Sequence, residues 1–136
     1  MKRLLTTSCT DTSFNIAAFL LRVVFGSLIF MQHGLPKIQN FGELQSVFDD
    51  PFGISHQGSL LLVIFAEVFC AMFVVIGLFT RLAVIPLVIA MAVVVFMSKQ
   101  GQPLRNLEMP LLFLSAFLAI LFMGSGKYSA DGALGK

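Results

Sequence analysis

Residues 14–37 read FNIAAFLLRVVFGSLIFMQHGLPK. The stretch is apolar enough to cross a bilayer, because ~20 such residues span the ~30 Å hydrocarbon layer. Yet Arg22 lies inside it, and Gln32, His33 and Lys37 crowd its far end. A charge within a span costs on the order of 2.5–3.5 kcal/mol on insertion scales. A helix that does nothing but span would avoid that cost, so another group is expected to compensate Arg22. Arg22 and His33 lie about three full helical turns apart and share a face with Gly26 and Ile29 between them. That face is expected to look into the protein.

The rest of the chain is of the same kind. Of 136 residues, 57% are hydrophobic and only 12% charged, with a mean hydropathy of +0.92. Soluble domains carry about twice that share of charge. Apolar runs at about residues 14–36, 59–79, 82–98 and 107–123 cover more than half of the chain. They predict a small polytopic membrane protein with one transmembrane domain over residues 1–136. A net charge of +2 with no basic run gives no argument for a nucleic-acid partner, and none is expected. Cys9 and Cys70 form no Cys-x-x-Cys pair and are expected at different depths, which argues against thiol–disulfide chemistry. No apolar run precedes Phe14, so the first span reads as a retained helix rather than a cleaved signal.

Short connections imply antiparallel neighbours, hence an all-α, up-down-up-down four-helix bundle. Lys2, Arg3, Arg81, Lys127 and Lys136 gather on the side of the termini, against Lys37, Lys99 and Arg105 on the other. If the source is bacterial, this bias predicts both termini in the cytoplasm and the chain in the inner membrane. In the first outer loop, residues 38–58, Phe41, Leu44, Val47 and Phe48 recur at helical spacing. They predict a short amphipathic helix on the membrane interface, ended by Asp50-Pro51. Pro86 and Pro110 are each expected near the first turn of their helices, where proline is tolerated.

Glu67 is the natural partner of Arg22. Counted inward from the span ends at ~1.5 Å per residue, the two differ in depth by roughly 6 Å, which a long arginine covers. Such a pair either fixes helix register or lines a polar pocket. His33, Lys37 and Glu108 are expected near the outer ends of adjacent helices. A histidine side chain suits proton exchange, so His33 is expected to serve it with Glu108 or Glu67 as partner. Lys37 alternatively snorkels to the headgroups, and Glu108 alternatively offsets a helix N-terminus. His33 and His56 lack the Glu-x-x-His or His-x-x-x-His spacing of a metal site. Gly77, Ala83, Ala90 and Ala92 offer small-residue surfaces, either for a homo-oligomer or for packing within the monomer.

Leu21-Arg22, His33-Gly34-x-x-Lys37, Ala66-Glu67 and Gly77-Leu78-Phe79-Thr80-Arg81 together resemble the DoxX family of small bacterial membrane proteins. So do Glu108 and the ending Gly124-Ser125-Gly126-Lys127-Tyr128-Ser129-x-Asp131. The resemblance implies a four-helix membrane module. It also implies partners, since family members include a subunit of an archaeal thiosulfate:quinone oxidoreductase and a component of a mycobacterial membrane oxidoreductase complex. This chain resembles the short, single-module form. It carries no cysteine pair and no flavin or nicotinamide fingerprint, so it is not expected to oxidise thiosulfate alone. The expected role is a membrane subunit that binds a quinone-like or other amphipathic ligand between the first, second and fourth helices. Arg22, His33, Lys37, Glu67 and Glu108 are its candidate ligand-binding or proton-exchanging residues. The alternative is a non-catalytic scaffold that handles lipid or a partner protein.

Overall fold

The first helix outruns its apolar stretch at both ends. In the computed structural model, which describes residues 2–98 and 101–135, α1 spans Asp11–Gln39. The Thr10 hydroxyl caps it by accepting from the Ser13 amide at 3.1 Å. Pro36 does not stop it. Residues Phe30–Gly34 form a π-helical turn in which the Leu35 amide reaches back to the Phe30 carbonyl. Widening the helix there makes room for the Pro36 ring, which in a regular helix clashes with the carbonyl four residues back.

A single turn, α2 (Phe41–Leu44), follows. Then come α3 (His56–Ile76), α4 (Thr80–Met97) and α5 (Leu104–Met123), and a last turn, α6 (Ala130–Ala133). Each of the four long helices is long and apolar enough to cross a membrane. α1 packs on α3 and α5, and α4 packs on the same two, which closes an antiparallel ring. Among the described residues there is no strand. Ile29, Ala71, Val74, Val84, Leu87, Phe117 and Ile120 are fully or almost fully buried along the axis. Ala83 and Cys70 belong to this core, so that small residue packs within the monomer; Cys9 is exposed.

The amphipathic segment in the first loop is helical for one turn only. Phe41, Leu44 and Phe48 pack on Leu60, Ile64 and Val68 of α3, while Val47 stays exposed. Asp50 holds the loop's return, with Oδ1 accepting from the Ile54 amide at 3.0 Å and the Ser59 hydroxyl at 2.8 Å. Desolvation pushes the Asp50 carboxyl up, but the Ser59 hydroxyl, the Ser55 and Ile54 amides and His56 outweigh it and hold it below its ordinary value. Pro86 and Pro110 both sit inside their helices rather than in the first turn, because α4 begins at Thr80 and α5 at Leu104.

Candidate functional site

The polar residues of the bundle form two clusters at opposite ends. Arg22, only 1% exposed, lies toward the end that carries the termini. Its Nη1 donates to the Val74 and Val75 carbonyls at 3.2 and 3.0 Å. Its Nε donates to Ser125 O at 3.0 Å, and Nη2 to Tyr128 O at 2.6 Å. The logic is that of a helix C-terminus. The last turn of α3 leaves carbonyls without amide partners, and a cation there is favoured by the helix dipole. Arg22 therefore caps α3 and at the same time staples the segment after α5 across the bundle's end.

That segment is tied down twice more. The Lys127 amide donates to Asn15 Oδ1 at 3.0 Å. The Asp131 amide donates to Gly77 O, and its carboxylate accepts from the Phe79 and Thr80 amides at 2.9 and 3.1 Å. Asp131 thus supplies the N-cap that Phe79 cannot give α4. Gly77 has φ +82°, and a Cβ there would sit 2.4 Å from Ser129 Cβ and 2.5 Å from Arg22 Nη1. Glycine is needed both for the turn and for the closeness of the strap. Gly77–Arg81, Gly124–Asp131 and Leu21-Arg22 are therefore parts of one structural knot.

The expected Arg22–Glu67 ion pair is not formed. Glu67 pairs with Lys37, Nζ to Oε2 at 2.7 Å, near the opposite end. The depth estimate failed because it took the ends of the two helices as level, whereas α1 has 29 residues and α3 has 21. Glu67 therefore faces Gly34 and Lys37 while Arg22 faces Val74 and Val75.

Both partners stand on or beside π-helical turns. Glu67 lies within Phe65–Cys70, where the Ala71 amide reaches the Ala66 carbonyl, and Lys37 follows Phe30–Gly34. The two turns face each other. Such turns recur at functional sites. A Cβ on Gly34 would lie 2.7 Å from the Glu67 carbonyl oxygen and 2.9 Å from Val68 Cγ2. Gly34→Ala is expected to wedge α1 from α3 and to cost about 1–3 kcal/mol, read as a lower melting temperature by circular dichroism in detergent.

Lys37 Nζ also donates to His33 O at 3.3 Å. The half-buried His33 ring stands edge-on to Phe113, centroids 5.6 Å apart, and Phe113 stacks on Phe117 and meets Phe25 edge-on. The structure therefore joins Lys37, Glu67 and His33 beside a column of rings. Arg22 is outside this cluster. Glu108 is exposed on α5, where it lines an open cleft of about 450 Å³ with Arg105 and Ser115. Among the described residues, no three His, Cys, Asp or Glu side chains converge as a metal site requires. The π-helical turns and the Asp131 cap escaped the sequence reading. Pro36 just after His33-Gly34 was the one local signal for the first turn.

Four apolar spans with an acid and a base paired between them define a polytopic α-helical membrane protein. The DoxX family model matches residues 17–100, more than half of the chain, and the chain belongs to that family. The match takes in Arg22, His33, Lys37, Glu67 and Gly77–Arg81, and ends before Glu108 and the Gly124–Asp131 strap. No curated protein and no solved structure matches the chain significantly.

Proposed function

We propose that this chain is a single membrane module that binds a quinone-like or other amphipathic ligand at Lys37, Glu67 and His33, and serves a redox assembly. The observation that carries the reading is the 2.7 Å ion pair between Lys37 and a Glu67 side chain only 4% exposed. Burying two charges in a bilayer is expensive, and intramembrane ionisable groups mark sites of ligand or proton handling. Reducing a quinone to a quinol takes two electrons and two protons. Glu67 and His33 are the proton-exchanging groups, and Lys37 takes the role of stabilising an anionic oxygen. The half-buried ring of Phe25, backed by the buried Phe113, offers apolar contact for a flat ligand. Electrons come from a partner protein. The bias of Lys and Arg sets the cluster toward the outer face of a bacterial inner membrane, with the termini in the cytoplasm.

The rival reading is a scaffold in which the pair fixes helix register, and it draws on the mutual satisfaction of Lys37 and Glu67. The test is retention of decyl-ubiquinone by the full chain in dodecyl maltoside, with Glu67→Gln as the variant. Saturable binding that falls about tenfold in the variant, the scale of one charge-assisted hydrogen bond, supports the site if helicity is unchanged. Equal retention by both proteins rejects it.

A further inference from the structure

We propose a second binding site, at the end of the bundle that carries the termini, for the phosphate of an anionic phospholipid headgroup. It is independent of the Lys37–Glu67 cluster. A cleft of about 700 Å³ opens there between the start of α1, the start of α4 and the strap after α5. Thr80 lines it and is 1% exposed, yet its Oγ1 has no hydrogen-bond partner among the described residues, although its amide is held by Asp131. A buried hydroxyl without a partner is rare and calls for a ligand atom.

Charge in the cleft selects an anion. Arg81 and Lys127 are exposed on its walls. Arg81 spends Nη2 on the Phe122 carbonyl at 3.2 Å, which leaves the rest of its planar fork for a phosphate. Asp131 is the acidic residue of the lining, and both of its oxygens are turned to the Phe79 and Thr80 amides with Arg22 behind it. The cations therefore outnumber the carboxylate, which is itself spent on the α4 N-terminus. A free phosphate uses only this polar floor. The rim is apolar, with Phe14, Phe79 and Leu82 exposed on it, and that suits acyl chains. Basic pockets between membrane helices bind anionic headgroups in this way.

The test offers the full chain in dodecyl maltoside equal amounts of phosphatidylglycerol and phosphatidylcholine with matched chains, scored by native mass spectrometry. Inorganic phosphate is added in a parallel thermal melt followed by circular dichroism. Phosphatidylglycerol is expected to be retained about tenfold over phosphatidylcholine, the scale of hydrogen bonds to a charged group. Thr80→Val, and separately the Arg81→Gln/Lys127→Gln double variant, are expected to remove that preference. Thr80→Val alters no charge, so general attraction of lipid to a basic surface does not account for its loss. Without ligand the same variant should melt no lower than the parent, because a methyl replaces an unsatisfied hydroxyl. Should Thr80→Val fail to fold, the double variant decides, since both of its positions are exposed. Stabilisation by inorganic phosphate without lipid preference keeps the site and overturns the lipid as its source. Preference that survives either folded variant, or its absence with both probes, overturns the proposal.

Discussion

Arg22→Met is expected to lower the unfolding free energy by at least ~3 kcal/mol, because hydrogen bonds to a charged group are worth about 1.5–3 kcal/mol each and are not additive. The guanidinium serves the carbonyls of Val74, Val75, Ser125 and Tyr128 at once. Methionine fills the volume but satisfies none of them. The loss should be local before it is global. The strap after Met123 is held by Arg22, Asn15 and Asp131, and without the arginine its Lys127–Tyr128 bond becomes open to trypsin. Thermal melts in detergent and tryptic cleavage after Lys127 read the two effects separately. Arg22→Lys keeps the charge and loses the fork, so it should fall between parent and methionine variant. A methionine variant as stable as the parent, with Lys127 still protected, rejects this account.

That role was only half legible in the sequence. Arg22 stood out because its charge interrupts an apolar run, and the need for a compensating group followed from solvation alone. The identity of that group depends on register. Depth on antiparallel helices is counted from their ends, and hydropathy places an end where polar residues begin. α1 instead runs on to Gln39 through Pro36, since the π-helical turn at Phe30–Gly34 absorbs the proline. The ends of α1 and α3 are therefore not level, and the acid first matched with Arg22 meets Lys37.

The spans were legible for the opposite reason, because each rests on many residues of one kind and tolerates an error of a turn at either end. Motifs that look like ordinary loops, Gly77–Arg81 and Gly124–Asp131, carry no local sign that they meet. Only the long-range bonds of Arg22 and Asp131 bring them together. Arg22 is engaged by four carbonyls at one end of the bundle, and the ion pair between the spans lies near the other, at Lys37 and Glu67 with His33 beside it.

Lys37→Met is expected to cost more than Glu67→Gln, although both break one ion pair. Glu67 has 4% of its side chain exposed and Lys37 has 18%. Without Lys37 the carboxylate is left unpaired where water does not reach, a loss of about 3–5 kcal/mol when such a charge stays buried. Without the Glu67 charge, Lys37 can turn its ammonium toward the headgroups on its flexible stem, and the cost falls to about 1–2 kcal/mol. The Lys37→Met/Glu67→Gln double variant should recover part of the methionine loss, with a coupling energy on the order of 2 kcal/mol in a double-mutant cycle. Equilibrium unfolding in mixed micelles at neutral pH measures all three. A methionine variant no worse than the glutamine variant removes the asymmetry on which this rests. The same proteins also separate the two functional readings: a double variant that regains stability and still fails to retain decyl-ubiquinone ties the pair to the ligand, whereas stability and retention that recover together make the pair a device for helix register.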